Sequence, residues 1–194
     1  MNTIALIDAA RVDQIASPEN DQADRGSLNL NSPALAVFTD FSVQEALVVE
    51  SETPILEAEA MMKHSHVRLK LVINRDQTFL GVLALEDIQE AELIKKVAEG
   101  YSRQELKVAD LMRKRSELDM LDYDDLRRMT IGDLLMSLQD YQRQHCLVVD
   151  RDKGQIRGLV SASDIVRKLR IPLCIQKSPK FADLHIKPAM AVGS

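Results

Sequence analysis

Ser161 and Asp164 stand three residues apart in Gly158-Leu159-Val160-Ser161-Ala162-Ser163-Asp164-Ile165, where an apolar run gives way to polar residues. Leu159 and Val160 end a strand that begins near Ile156, and Ser-x-x-Asp then has the spacing of a helix N-cap box. The first backbone N–H groups of a helix are unpaired and carry partial positive charge, so a serine hydroxyl beside them can help hold an anion such as phosphate. A carboxylate three residues on faces the same mouth, where it can accept hydrogen bonds from a ribose diol. Most such boxes only cap their helix, contributing about 1 kcal/mol, so the spacing alone does not choose between the two roles.

A second copy of the stretch weighs on the choice. Gly81-Val82-Leu83-Ala84-Leu85-Glu86-Asp87-Ile88 lies 77 residues upstream, with glycine, two apolar residues, aspartate and isoleucine in the same places. Upstream of each copy the order also matches. Leu71-Val72-Ile73-Asn74-Arg75-Asp76 corresponds to Leu147-Val148-Val149-Asp150-Arg151-Asp152, and before these lie helical segments opened by Thr53 and Thr130. The chain repeats one supersecondary unit, each copy too small to bury a comfortable core alone.

Strand, helix, apolar strand ending in Asp or Asn, strand, then Gly-h-h-Ser/Thr-x-x-Asp (h for hydrophobic), all of it twice, resembles a tandem pair of CBS domains, or Bateman module, from about Pro33 to Arg170. The resemblance implies an α/β fold in which each domain is a small three-stranded mixed sheet with two helices (β-α-β-β-α), the two packed about a pseudo-two-fold axis. It implies a cleft between the domains for an adenosine-containing ligand: AMP, ADP, ATP or S-adenosylmethionine. The motif hydroxyl would face phosphate and the aspartate ribose, which nominates Ser161 and Asp164 in the second copy and Asp87 in the first. The glycines Gly158 and Gly81 that open each motif join them as candidates. Ala84 departs from the pattern, since it offers no hydroxyl where Ser161 does, and neither second strand carries the proline frequent in the family. One better site and one impaired site are expected.

Composition sets outer bounds. The 194 residues are 45% hydrophobic and 28% charged, an ordinary globular balance, with a net charge of -5 that argues against a nucleic acid or an anionic membrane as main partner. No apolar run approaches the ~18 residues that span a bilayer, and Asp8 stands where a signal peptide would want a cation. A cytoplasmic protein is expected. Two cysteines, Cys146 and Cys174, suggest no disulfide framework, and Cys146 reads as a packed thiol at the start of a buried strand.

The organisation expected from these signals is a tail over 1–32, a first domain over 33–100, a second over 101–172 and a C-terminal tail over 173–194. In the first tail Ile4, Ile7, Ala10 and Ile15 have the spacing of a short amphipathic helix, while Pro18, Gly26 and the asparagines break any pattern after Ser17. Thr53-Pro54 opens a helix with apolar stripe Ile55, Ala58, Met61 and Met62. Val67, Leu69, Leu71 and Ile73 alternate with Arg68 and Lys70, the spacing of a half-buried strand. The next helix would carry Ile88, Ala91, Ile94 and Val97 on one face and stop at Gly100. Thr130-Ile131-Gly132-Asp133 is another capping box. The C-terminal tail, with Lys177, Lys180 and Lys187, would strap across the module or meet a partner.

Secondary candidates surround the motif. Arg68 follows Lys63-His64-Ser65-His66, a run that either lines a phosphate or complements a helix dipole. His64-x-His66 is no metal site, because no further ligand is spaced to complete it. His145, just ahead of the strand Cys146 to Val149, is a satisfied edge residue or a cleft contact. The basic spots Arg113-Lys114-Arg115 and Arg127-Arg128 are solvated surface unless a phosphate tail reaches one. With no tryptophan and few other aromatic residues, an adenine ring would lie in an aliphatic slot, for which Val72 and Val148 are candidates beside Leu71 and Val149. No Gly-x-x-x-x-Gly-Lys-Ser/Thr or Gly-x-Gly-x-x-Gly loop occurs, and neither cysteine is paired with a basic histidine. The function expected is therefore non-enzymatic: a homodimeric nucleotide sensor acting on a partner protein, or alternatively a ligand-free scaffold of the same fold.

Overall fold

The computed structural model describes residues 28–170 and 180–184, with the backbone of 7–8 and 14–15. In chain order its strands are β1 (Ile7–Asp8), β2 (Gln14–Ile15), β3 (Phe38–Asp40), β4 (Val48–Glu50), β5 (Leu69–Ile73), β6 (Phe79–Ala84), β7 (Arg113–Lys114), β8 (Asp119–Asp122), β9 (His145–Asp150) and β10 (Gln155–Ser161). The helices are α1 (Ile55–His64), α2 (Glu90–Ala98), α3 (Val108–Leu111), α4 (Tyr123–Leu126), α5 (Ile131–Ser137) and α6 (Ala162–Leu169), and short 3-10 turns join several elements.

Each repeat contributes a three-stranded mixed sheet. β4 runs parallel to β5 and β5 antiparallel to β6; in the second copy β8 runs parallel to β9 and β9 antiparallel to β10. The sheets pack face to face. Leu71, Phe79 and Val82 from the first meet Met120, Leu147, Val149 and Ile156 from the second in one apolar seam. The alternate residues point outward beneath helices: Val72 and Leu83 pack with Ile55, Ala58 and Met62 of α1, and Cys146, Val148 and Val160 with α5 and α6. The order is helices, sheet, sheet, helices, so strands buried on both faces are near-continuous apolar runs.

That second buried face corrects the half-buried strand expected at Leu69–Ile73. Lys70 lies on the helix side, and its ammonium, Nζ, donates to the Val48 carbonyl at 3.2 Å.

Each sheet is extended by the strand that leads into the other repeat. β3, which precedes the first repeat, pairs antiparallel with β10 of the second, and β7, which precedes the second, pairs with β6 of the first. The helix starts are crossed in the same way: Ala34 N–H donates to Met129 O and Ile131 N–H to Ser32 O, while Ile55 N–H donates to Leu106 O and Val108 N–H to Thr53 O. Ala34 and Val37 therefore lie in the second core, Leu106 and Val108 in the first. The sequence repeats and the spatial halves are not the same thing.

Two residues permit the exchange. A Cβ on Gly81 would overlap the Arg113 carbonyl, and one on Gly158 the Thr39 carbonyl and the Phe38 ring. Arg157 then clamps β3 to β10, donating to both Asp40 carboxylate oxygens at 2.9 Å and to Ser42 Oγ at 2.6 Å, with its guanidinium 4.9 Å from the Tyr123 ring centroid. Burial works against the Asp40 charge, but these bonds outweigh it and hold the pKa below the usual carboxylate value.

The ends of the chain depart from simple tails. Ile7–Asp8 pairs with β8 and Gln14–Ile15 with β10, extended pieces where an amphipathic helix was expected; Ile4, Ala10 and the stretch after Ser17 up to residue 27 lie outside the described residues. Residues 180–184 do strap the second half: Phe181 and Leu184 are buried in its core, and Phe181 N–H donates to Arg143 O.

Helix boundaries follow local chemistry. α1 is capped at Pro54, one residue later than the threonine cap expected, and Thr53 makes no side-chain cap. α2 begins after a 3-10 turn, ends at Ala98, and closes on Gly100 at φ 100°, with Tyr101 N–H to Lys96 O and Gly100 N–H to Val97 O completing a Schellman motif. Its buried residue is Leu93, whereas Ile94 and Val97, expected on the core face, are exposed.

Candidate ligand cleft

The two motifs end β6 and β10, and each is crossed by the exchanged strand, so both lie where the halves meet. In the first, Asp87 Oδ2 accepts the Ala84 N–H at 2.8 Å, closing its own helix turn, and also the Arg113 Nε–H at 3.1 Å. Glu86 faces the other half: Gln144 Nε2 donates to it at 3.2 Å, and Arg143 and Arg113 guanidinium nitrogens lie 3.8 and 3.7 Å away. Glu86, Asp87, Arg113 and Arg143 line a cleft of about 450 Å³ with Lys96 and Asp110.

The second motif is arranged differently. Ser161 is 6% exposed and makes no side-chain bond to the helix it precedes. Thr130 of the same half caps fully: Oγ1 accepts the Asp133 N–H at 3.1 Å, and Asp133 accepts the Thr130 N–H at 3.0 Å. Asp164 accepts no bond from the Ser161 backbone; it pairs with Arg167 at 2.7 Å on the exposed helix surface. Neither group of the Ser161-x-x-Asp164 spacing is spent on capping.

His145 sits opposite Ser161 in the β9–β10 register, within electrostatic reach of Asp164, Arg113 and Arg68. Burial first, then the two cations, push its pKa down to about 4, so the imidazole is neutral at ordinary pH. Arg68 is exposed at the entrance to β5, after a turn made by His66 at φ 53°. Ahead of it Lys63 pairs with Glu59 at 2.6 Å, as a solvated helix end does. Among the described residues no group of three or more His, Cys, Asp or Glu gathers to hold a metal ion.

The structure thus brings Ser161, Asp164, His145 and Arg68 to one place and Asp87 to its pseudo-symmetric counterpart. Val72 and Val148 are instead fully buried under helices, 0% exposed, and present no surface to an adenine ring. Gly81 and Gly158 serve the strand crossings. Arg113 and Thr39 come beside the motifs only through the exchange, and Gln144 meets Glu86 only through the packing of the two halves, neither of which an eight-residue repeat reveals. No matched pattern marks the two exchanged strands in the sequence: Thr39 stands 14 residues ahead of Thr53, whereas Arg113 stands 17 ahead of Thr130.

Comparison with known proteins defines the class. The CBS domain model matches residues 32–93 and 108–171, and the chain belongs to this family. An uncharacterised conserved protein from Pyrococcus horikoshii shares its fold at 21% identity and a TM-score of 0.55, over 75% of this chain and 98% of that one. The protein CBSX2, in complex with AMP, aligns at 24% identity and a TM-score of 0.50, over 70% and 94%. The CBS domain of a bacterial CNNM/CorC family Mg2+ transporter, in complex with ATP, aligns at 17% and 0.51, over 74% and 91%. No curated protein matches the sequence. Among the described residues no helix is long and apolar enough to cross a membrane.

Proposed function

We propose that this chain is a regulatory module without a catalytic site of its own, which binds an adenosine nucleotide in the second cleft and presents the resulting change in packing to a partner protein. One observation carries the assignment: at Ser161 and Asp164 the hydroxyl and carboxylate are left out of helix capping. A helix start whose N–H groups, hydroxyl and nearby carboxylate converge suits phosphate and ribose together. Arg68 supplies the opposite charge at the rim. Two structural relatives hold AMP and ATP, which fits the same ligand class. Dimerisation through helices would cover Ile94 and Val97. A ligand-free scaffold is the second reading, favoured by Ala84 and by the engaged state of Asp87.

The test is a thermal-shift panel with AMP, ADP, ATP, S-adenosylmethionine and NAD, repeated on Ser161→Ala and Asp164→Asn. A ligand at about 100 times its Kd adds about 2.7 kcal/mol, enough to raise the midpoint several degrees. A rise with one adenosine ligand, absent in both variants, is expected; no rise with any ligand on a ligand-free sample selects the scaffold.

A further inference from the structure

The strand registers put the two clefts in correspondence. Arg113 pairs with Val82, five residues before Asp87, and Thr39 with Leu159, five residues before Asp164. Leu85 N–H donates to Arg68 O, and Ala162 N–H to Gln144 O, so Arg68 and Gln144 are counterparts, as are Glu86 and Ser163 that follow the two donors. Where Arg113, Glu86, Gln144 and Ala84 stand around the first motif, the corresponding positions around the second are Thr39, Ser163, Arg68 and Ser161.

We propose that the clefts have separate tasks: the second takes one nucleoside phosphate per chain, and the first is closed without a ligand by an internal ion-pair latch, Asp87 with Arg113. The inference rests on the nucleotide-binding role proposed above. In the first cleft a ribose diol seeking Asp87 must displace Arg113, and the two side chains are only 12% and 14% exposed, so the guanidinium would be left poorly solvated and unpaired. A phosphate there would meet the carboxylates of Glu86 and Asp87 and find no hydroxyl at Ala84. Gln144 and Arg143 already span from the second half to Glu86, the work a bound nucleotide would otherwise do.

The second cleft reverses each feature. Asp164 is 33% exposed and its Arg167 partner 74%, a surface pair worth little and readily exchanged for a ribose. Ser163 removes the acidic charge that Glu86 carries, Arg68 adds a cation where Gln144 has none, and Thr39, Ser161 and Ser163 supply hydroxyls. The second motif thus offers hydroxyls and a cation, whereas in the first the guanidinium groups of Arg113 and Arg143 are already taken up by the carboxylates of Asp87 and Glu86.

Isothermal titration of the full chain with ATP and with AMP tests the division. The expected result is one equivalent per chain, a Kd changed less than about twofold by Asp87→Asn, and binding lost on Asp164→Asn. Two equivalents, or at least tenfold weakening on Asp87→Asn, overturns the inference while upholding the nucleotide-binding role. No heat with either nucleotide removes the binding role and with it the one-ligand half of the inference. The latch is judged separately, without ligand, by urea unfolding of Arg113→Met, Asp87→Asn and the double variant. Each single variant is expected to lower the midpoint, and the double to lower it little further than the worse single. Strictly additive losses overturn the latch.

Discussion

Thr130 and Ser161 open two helices of one half, and only the Thr130 hydroxyl oxygen accepts an N–H of the helix it precedes. Thr130→Ala therefore removes a working cap, at a cost of about 1 kcal/mol, which for a chain of this size lowers Tm by roughly 2–4 °C. Ser161→Ala removes no cap and exchanges a hydroxyl that makes no bond to its helix for a hydrogen atom, so a Tm within about 1 °C of the parent is expected. Differential scanning of the two variants side by side checks the contrast; an equal loss in both would return Ser161 to an ordinary capping role. His145 adds a pH dependence. Its folded pKa, about 4, lies below the 6.5 of an unfolded histidine, so the unfolded chain binds more protons between those values. Stability from the neutral imidazole is whole above pH 6.5 and is lost as pH falls toward 4. Urea midpoints measured from pH 7.5 to 4.5 are expected to decline along that window, and His145→Gln to flatten the decline. Asp40, held below 3.8 through its bonds to Arg157 and Ser42, titrates beneath the window.

Among the elements, the crossings of β3 and β7 depend on glycine for space. The added methyl of Gly158→Ala meets backbone and an aromatic ring, neither of which can step aside, and that of Gly81→Ala meets the backbone of β7. Each variant is expected to lose on the order of 2–4 kcal/mol, read as a drop in urea midpoint. Hydrogen exchange should localise the loss to β3–β10 in one case and β6–β7 in the other. The repeat, the apolar strands, the Gly100 stop and the Thr130 box were legible in the sequence because each is written in a few neighbouring residues. The double burial of Lys70 was not, since a strand beneath helices on one side and a second sheet on the other has no polar face for the alternation to report. Nor was the engagement of Asp87 by Arg113, 26 residues away, because it depends on which strand lies across Gly81. Motif spacing marked Ser161 and Asp164, but their freedom from capping could be known only once the neighbouring Thr130 box could be compared with them.

For the molecule as a whole, the exchange decides how the two repeats fold. Each core contains side chains supplied from ahead of the other repeat, Ala34 and Val37 in one, Leu106 and Val108 in the other, and the sheets share the seam of Leu71, Phe79, Met120, Leu147 and Val149. Opening either half removes a strand and part of the apolar core from its neighbour. At about 25 cal/mol per Å² of buried apolar surface, even four or five exposed seam side chains cost more than a typical margin of stability. The two halves should therefore unfold in one step. The chain lacks tryptophan, and Tyr123 and Tyr141 both pack against the second core, so tyrosine fluorescence reports mainly that half while far-UV circular dichroism reports both. Coincident urea midpoints by the two probes are expected. A fragment of residues 28–105, which retains the first repeat but lacks Leu106, Val108, β7 and the whole facing sheet, is expected to show the circular dichroism of an unfolded chain. Separate midpoints, or a fragment with a cooperative transition of its own, would mean that the halves are independent domains and that a ligand bound in one cleft need not be felt in the other.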